Sequence, residues 1–192
     1  MLIRFAVVVL FVAGSSVAWG QDPEAAKLLA AQKEAMKKLS FMSGVWRGQA
    51  STSFPGGGKR DITQTERMGD FLDGTVKVIE GRGYDASGKV TFNALGVVSY
   101  DVAKKQYTMR SYAMGRSGDF VLNLNSTFDG FTWEIPAGPG MMIRYTATIK
   151  DGTWNEVGDR VTPNQPPARF FEMNLKRVGD SDWPGAGAIP PK

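Results

Sequence analysis

From about residue 45 onward, apolar and polar residues alternate in short runs that are separated by turn-forming residues. Three apolar groups each fall on one face of such a run: Phe120, Leu122 and Leu124; Phe131, Trp133 and Ile135; Met141, Ile143, Tyr145, Ala147 and Ile149. A period of two is typical of strands that bury one face. Asp-Gly pairs at 129–130 and 151–152 lie between such runs and favour hairpins. The pattern predicts an antiparallel all-β meander.

Ten strands are predicted in total. They are Val45–Ser53, Arg60–Met68, Gly74–Gly81, Val90–Tyr100, Gln106–Met114, Asp119–Thr127, Phe131–Ile135, Met141–Lys150, Thr153–Val161 and Ala168–Val178. A meander of this length with one apolar face is expected to close into a single antiparallel β-barrel. Because a barrel of about ten strands is wider than its wall side chains can fill, we also expect an interior cavity.

A helical pattern precedes the strands, from Asp22 to about Leu39. Asp22 can cap the helix and Pro23 suits its first position. Apolar residues then recur every three or four positions, at Leu28, Ala31, Ala35 and Leu39. The pattern predicts an N-terminal amphipathic helix that lies on the barrel or closes its mouth, with its lysines in solvent.

The first twenty residues have the pattern of a secretory signal peptide. Arg4 precedes an apolar run from Phe5 to Ala13, and Ala18-Trp19-Gly20 places small residues where a signal peptidase reads the chain. The run is too short to span a membrane. We therefore expect cleavage near Gly20, a periplasmic or secreted protein that is free of the membrane afterwards, a barrel domain at 21–178 and an irregular tail at 179–192.

Composition narrows the possible chemistry. The 192 residues are 42% hydrophobic and 22% charged, as in one soluble domain, and they include no cysteine and no histidine. This excludes disulfides, Cys/His zinc sites, a cysteine nucleophile, a Ser-His-Asp triad and histidine-ligated haem. The net charge of +4 is small and the basic residues are not clustered, so nucleic-acid binding is not expected. No metal or cofactor is predicted.

The stretch Ser43-Gly44-Val45-Trp46-Arg47-Gly48 opens the first predicted strand. A tryptophan at this point can lie across one end of a barrel and bury a large apolar area. Gly44 would permit a sharp turn into the strand, and Gly48 would permit a bend or the close approach of a neighbouring backbone. We interpret Gly44, Trp46 and Gly48 as residues that close the barrel.

The pattern Gly44-x-Trp46-x-Gly48, followed by Phe54-Pro55, resembles the calycin group of barrels: lipocalins, fatty-acid-binding proteins and especially nitrobindins. The mature chain, over roughly Leu28 to Val178, resembles more strongly an uncharacterised bacterial family of exported proteins, domain-of-unknown-function family 1579. That family carries a Gly-x-x-x-Tyr-Asp…Tyr element, which here is the segment 96–101 with Tyr107. The resemblance implies a calycin-like fold. The haem of nitrobindins is not implied, because their histidine ligand is missing.

Arg110 and Tyr112 are the first candidate ligand-binding residues, since they share one face of a strand. A guanidinium and a hydroxyl can together satisfy both oxygens of a carboxylate. The resemblance to fatty-acid-binding proteins, which use an Arg-x-Tyr pair in this way, implies the same role. The opposite face of that strand carries Tyr107, Met109 and Ala113, and if it is the interior, Arg110 lies in solvent.

Glu66, Trp133 and Tyr145 complete the candidate set. Glu66 shares a face with Ile62, Gln64 and Met68 and could lie inside the barrel, where a carboxylate must be paired or linked to a ligand. An exposed sheet face of alternating charges explains Glu66 equally well. Trp133 lies at mid-strand between Phe131 and Ile135, and Tyr145 lies on an apolar face.

We expect an exported β-barrel that binds a small, largely apolar or amphipathic ligand, with or without an anionic head, in its cavity. One alternative is an enzyme that uses Tyr, Arg and Glu in the same cavity, and the other is a structural or interaction barrel that is filled by its own side chains. No histidine and no paired-carboxylate motif supports catalysis, so we favour a binding protein. A buried Glu66 with a raised pKa near a tyrosine would favour an enzyme, and filled interior positions would favour a structural barrel.

Overall fold

The computed structural model of the chain describes residues 22–185. The predicted signal peptide at 1–20 and the last seven residues of the predicted tail lie outside the described residues. Helix α1 spans Pro23–Lys37, and a short 3-10 turn spans Ser40–Met42. Asp22 caps α1 through its side chain, which accepts from the backbone N–H of Glu24 at 3.0 Å. Within the described residues, no helix has the length and apolar character needed to cross a membrane.

Ten strands follow the helix and form one closed sheet. They are β1 (Gly44–Ser53), β2 (Lys59–Phe71), β3 (Val76–Tyr84), β4 (Val90–Asp101), β5 (Gln106–Ala113), β6 (Arg116–Leu124), β7 (Gly130–Gly138), β8 (Met141–Lys150), β9 (Thr153–Val161) and β10 (Ala168–Gly179). Each strand pairs antiparallel with the next, and β1 pairs with β10 to close the barrel. The predicted all-β meander barrel of about ten strands with an N-terminal helix is confirmed.

The connection between β5 and β6 is shorter than the sequence predicted. Met114 and Gly115 both have positive φ, at 49° and 79°, as the two central residues of a tight type I′ hairpin turn do. Residues 116–118, which were expected in the turn, therefore belong to β6. The consequence is a longer β5–β6 ladder that pairs Ser111 with Gly118.

Helix α1 and the 3-10 turn cover the end of the barrel at which β1 begins, which we call the closed end. Trp46 is buried there and donates from Nε1 to the carbonyl oxygen of Met42 at 3.1 Å. Its ring meets that of Trp154 edge-on, with 6.0 Å between centroids. The hydroxyl of Tyr107 donates to the carbonyl oxygen of Ala35 in α1 at 2.7 Å. The 3-10 turn and the helix are thus each held to the barrel by a hydrogen bond as well as by apolar packing.

Two glycines shape the first strand. Gly44 has φ +125°, in a region that favours glycine. At Gly48, a Cβ atom would lie 2.0 Å from the carbonyl oxygen of Asn174, so the backbones of β1 and β10 approach closely there. These positions are the turn and the close approach that the sequence led us to expect.

A lysine is buried at the closed end. Lys77 of β3 is fully buried, and its Nζ donates to the hydroxyl of Ser43 at 2.7 Å and forms an ion pair with Asp70.

Residues 180–185 are irregular, and Trp183 of this segment covers Gly69 and lies under the guanidinium of Arg67, 4.3 Å from its ring centroid. The start of the tail therefore packs against β2.

Candidate functional site

The half of the barrel away from α1 is open to solvent, and we call it the open half. Most inward side chains at the closed end are almost fully buried, including Met68, Val98, Leu122 and Leu175, whereas Tyr100, Tyr107 and Leu124 beside α1 keep some exposed area. In the open half, inward side chains remain partly exposed: Phe92, Ala94, Ser111, Ala113, Phe120, Trp133, Ile135, Ile143, Tyr145 and Phe171. Solvent therefore reaches more of the inward face in the open half than at the closed end, and we describe the open half as a cup.

Aromatic rings form one wall of the cup. Trp133 of β7 and Tyr145 of β8 are paired across the strands and stack with 4.5 Å between centroids and 13° between planes. Phe120 of β6 packs on Trp133 at 5.3 Å, and Phe171 of β10 packs on Tyr145 at 5.8 Å. Such a wall offers flat apolar surface to a ligand.

Small residues lie among these rings and leave room for them. Gly158 of β9 faces Tyr145, whose ring would lie 2.9 Å from a Cβ at that position. Ser111 of β5 lies between Gly96 and Gly118 of the neighbouring strands. The Phe120 ring uses part of this room, since it would lie 2.6 Å from a Cβ at Gly118.

Three polar residues form the floor of the cup, and we call them the polar floor: Gln64 and Glu66 of β2, and Glu156 of β9. Their exposed fractions are only 3%, 9% and 8%. Gln64 donates from Nε2 to Oε1 of Glu66 at 2.7 Å. The Glu66 carboxyl lies over Gly81 of β3, where a Cβ would come within 2.6 Å of it.

Burial changes the acidity of both carboxyls. It raises the pKa of Glu66 to about 8, an effect that the Gln64 hydrogen bond opposes and the negative charge of Glu156 reinforces. Burial likewise raises the pKa of Glu156 to about 7, against the lowering effect of the nearby indole N–H groups of Trp133 and Trp154. Burial and the charge of Glu156 raise the pKa of Tyr145 to about 12. At neutral pH the polar floor therefore holds protons that ordinary glutamates would have released.

The polar floor has no cation of its own. Within residues 22–185, the ion pairs of the structure join other carboxylates, such as Asp70 with Lys77 and Glu80 with Arg67, and none includes Glu66 or Glu156. Beside Glu156, the indole Nε1 of Trp154 is buried and makes no hydrogen bond in the described part of the chain. Buried polar groups without a partner are rare in folded proteins, and functional sites are one place where they occur.

Arg110 and Tyr112 lie on the outside of the barrel. The Arg110 guanidinium is about half exposed and donates to Asp119 of β6 at 2.5 Å. Strand β5 instead turns Tyr107, Met109 and Ser111 inward, as the register with β4 and β6 requires. The structure thus departs from the predicted carboxylate anchor inside the cavity, because the two residues are on the other face of the sheet.

The remaining predicted residues do come together. Glu66, Trp133 and Tyr145 all face the interior, the first on the floor and the other two in the aromatic wall. Sequence reasoning missed Glu156, which alternates with Trp154 and Gly158 on the inward face of β9. That alternation was the available signal. A glutamate that shares a strand face with a core tryptophan is expected to point into the interior, whereas most glutamates lie in solvent.

Two grooves lie elsewhere on the surface. One, of about 580 Å³, is on the outer face near the β5–β6 turn, and its lining includes Glu80, Leu95 and Tyr112. The other, of about 380 Å³, lies between α1 and the ends of β4 to β6, and its lining includes Lys38 and Phe128. No group of three or more acidic residues within 22–185 is placed to hold a metal ion.

Comparison with known proteins supports the barrel fold. The chain is similar in structure to Rv2717c from M. tuberculosis, with a TM-score of 0.59 and 14% sequence identity over 74% of this chain and 96% of that protein. No protein-family model matches the sequence, and no curated protein matches it either. At this level of identity the likeness shows the fold alone. The chain is therefore established as a closed ten-stranded antiparallel β-barrel.

Proposed function

We propose that this protein binds a small, largely apolar ligand in the open half of its barrel. The observation that carries the proposal is the partial exposure of the inward rings of Phe120, Trp133 and Tyr145. A barrel that served only as structure would bury such rings, because their burial stabilises the fold. Ligand sites commonly lie in the mouths of β-barrels and combine apolar walls with a few polar groups. The calycin-like resemblance of the sequence agrees with this function.

The polar floor favours a ligand that has one polar end. The aromatic wall would take the body of the ligand, and the carboxyls of Glu66 and Glu156 would meet its polar group. An anionic head loses the anchor that first suggested it, because Arg110 lies outside and pairs with Asp119. The ligand is therefore proposed to be apolar over most of its surface and not held by that arginine.

A binding assay with the neutral apolar dye Nile red tests this proposal. Ser111→Trp would place an indole between Gly96 and Gly118, inside the open half. Tyr112→Trp adds an indole to the exposed outer face one residue away and is the matched control. We expect the fluorescence of the dye to saturate as it binds. The affinity for the dye should fall at least tenfold in Ser111→Trp and stay unchanged in Tyr112→Trp.

Two results would contradict the proposal. One is a failure of the dye to bind the unmodified protein at any concentration at which it stays soluble. The other is equal binding by Ser111→Trp with loss in Tyr112→Trp, which would place the dye in the groove on the outer face. Circular dichroism of both variants checks that the strands are intact.

We also propose that the protein is exported and works in the periplasm or outside the cell. The proposal is supported by the apolar run between Arg4 and the small residues at 18–20. Its test is the intact mass of the protein isolated from the cells that make it. A chain that begins at Gln21 in the exported fraction supports cleavage after Gly20, and a full-length chain in the cytoplasm contradicts it.

One observation supports an enzyme as the second candidate. Glu66 is buried, its pKa is raised to about 8, and a carboxylic acid that keeps its proton at pH 7 can serve as a general acid. Tyr145 lies in the same interior. A binding protein returns its ligand unchanged, whereas an enzyme alters it. Mass spectrometry of ligand recovered after long incubation distinguishes the two, with Glu66→Gln as the control for turnover.

A further inference from the structure

The charges inside the barrel point to the chemistry of the ligand's polar end. This inference rests on the proposed function and names the substrate class of the same site. Glu66 and Glu156 are both more than nine-tenths buried, and within residues 22–185 neither forms an ion pair with a basic side chain. Burial without a cation disfavours the ionised form of each carboxyl and so raises its pKa. A bound group that supplies positive charge would favour the ionised forms.

The two carboxyls lie close enough to affect each other. The negative charge of Glu156 is one of the causes that raise the pKa of Glu66. Glu66 of β2 is paired across the strands with Trp46 of β1, and Glu156 shares the inward face of β9 with Trp154. The rings of Trp46 and Trp154 meet with 6.0 Å between centroids, so the two carboxyls flank one aromatic contact on the floor. One ligand group can therefore interact with both.

The surroundings of Glu156 also suit a cation. The charge of Glu156 raises the pKa of Tyr145, and the Trp133 indole N–H lowers the pKa of Glu156. The stacked Trp133–Tyr145 pair thus adjoins the carboxyl, and aromatic faces attract cations. The buried Trp154 Nε1, which has no partner within residues 22–185, would have a stronger acceptor in an ionised Glu156.

Gln64 supplies a third acceptor. Its Nε2 donates to Glu66, and its Oε1 points toward Gly83, where a Cβ would lie 3.1 Å away. A primary ammonium group has three N–H donors and no acceptor. Two carboxylates and an amide oxygen match that number.

We propose that the polar floor binds the protonated amine of a small aliphatic or aromatic amine, with the apolar body of the ligand against the Trp133–Tyr145 wall.

Arg160, on the same strand as Glu156, does not oppose the assignment of an amine to the polar floor. Arg160 lies four residues from Glu156 on β9, about 13 Å along the strand toward the open rim. Its guanidinium is held over the ring of Phe170, 4.5 Å from the centroid. It lowers the pKa of Tyr145 but is not among the groups that shift the pKa of Glu66 or Glu156.

The other charged groups around the floor are also accounted for. Glu80 of β3 reinforces the raised pKa of Glu66, and Lys77 is engaged by Asp70 and Ser43. Glu80 is itself paired with Arg67 and Arg82, so the carboxyls at the floor that lack a cation are those of Glu66 and Glu156. A cation at the floor would be attracted by both when they are ionised.

A matched series of three probes tests the proposal by displacement of Nile red: 4-phenylbutylamine, 4-phenyl-1-butanol and 4-phenylbutyrate. They share the phenyl group and the length of the chain and differ in the charge of the polar end. At pH 7.5 we expect the amine to displace the dye at a concentration at least tenfold lower than the alcohol requires, and the carboxylate to be the weakest.

Two variants separate a contact with the amine from a structural role. Glu66→Gln and Glu156→Gln keep the size of each side chain and should each weaken the amine at least tenfold while changing the alcohol less than twofold. Glu172→Gln, on the exposed face of β10, is the control that leaves all three affinities unchanged. The amine should also bind more tightly as pH rises from 6 to 8.5, since the carboxyls ionise there while an alkyl amine stays charged.

The outcomes distinguish this inference from the proposed function. If the dye binds and the alcohol or the carboxylate displaces it as well as the amine does, the cation site is wrong and the apolar site stands. If the amine is preferred but both glutamine variants keep the preference, the assignment to the polar floor is wrong. If neither the dye nor any probe binds, both proposals are wrong.

Discussion

Gln64 and Glu66, two residues apart on β2, are joined inside the barrel by a hydrogen bond of 2.7 Å from Nε2 to Oε1. A period of two puts both side chains on the inward face of the strand. The amide satisfies one oxygen of the carboxyl but carries no charge, so it stabilises the group less than a lysine or arginine would. Burial raises the pKa of Glu66 to about 8, and the Gln64 hydrogen bond opposes this effect only in part.

The stability of the protein should fall as pH rises from about 5 to 9. The folded protein holds the protons of Glu66 and Glu156 up to pKa values of about 8 and 7, whereas the unfolded chain releases them near 4.5. The folded state thus binds more protons in this window, and the free energy of unfolding decreases with pH. Urea unfolding at pH 5, 7 and 9 measures this slope.

Substitution of the two carboxyls should remove that dependence. Glu66→Gln and Glu156→Gln should each reduce the slope of the free energy of unfolding against pH. The double variant should show little change in that free energy between pH 5 and 9. Asp85, Asp101 and Asp129 have lowered pKa values, so their stabilising effect is lost only as pH falls below this window. An equally steep pH dependence in the double variant and in Glu172→Gln would contradict the assignment of this dependence to Glu66 and Glu156.

Gly81→Ala should displace the Glu66 carboxyl. The added methyl group would lie 2.6 Å from Oε1 and 2.9 Å from Oε2, so the side chain must move away from Gln64. We expect a loss of about 1–3 kcal/mol in the free energy of unfolding. Gly96→Ala is the control, because its nearest neighbour would be the Met109 sulfur at 3.4 Å. Equal stability of the two variants in urea unfolding would show that Glu66 does not lie over Gly81.

Arg110→Ala should leave the binding of Nile red and of every probe within twofold of the unmodified protein. The guanidinium is on the outer face and its partner is Asp119, and exposed ion pairs of this kind contribute little to stability. Titration of the variant with the dye is the measurement. A loss of tenfold or more would return Arg110 to the site and contradict the orientation of β5.

Asp70→Ala should destabilise the closed end more than Lys77→Met does. Lys77 is fully buried and Asp70 is its only ionic partner among residues 22–185. Removal of the carboxylate leaves a buried charge with Ser43 alone and should cost about 1–3 kcal/mol, whereas methionine removes the charge itself. The double variant should therefore be more stable than Asp70→Ala in urea unfolding. Additive losses would rule out this coupling.

Much of the fold could be predicted from alternation and turns. The ten strands, their antiparallel order and the helix follow from local pattern, and Gly44 and Trp46 mark where the barrel begins. The β5–β6 turn was misplaced because Met114, a residue that rarely has positive φ, occupies one of its two central positions. Side-chain identity alone does not show that conformation.

The site was harder to predict because sequence does not say which face of a mixed strand is the interior. β5 carries Arg110 and Tyr112 on one face and Tyr107 and Met109 on the other, so both faces have polar and apolar groups. Only the register with β4 and β6 decides between them. Glu156 was missed for a related reason, since its place beside Glu66 depends on pairings across four strands.

Methyl NMR of the protein with labelled isoleucine and leucine side chains tests the central claim most directly. The account predicts that saturating 4-phenylbutylamine shifts the methyl signals of Ile135 and Ile143, which line the open half. The signals of Ile149 at the closed end and of Leu95 on the outer face should stay in place. Shifts confined to Leu95, or no shifts with either 4-phenylbutylamine or Nile red, would contradict a ligand site inside the barrel.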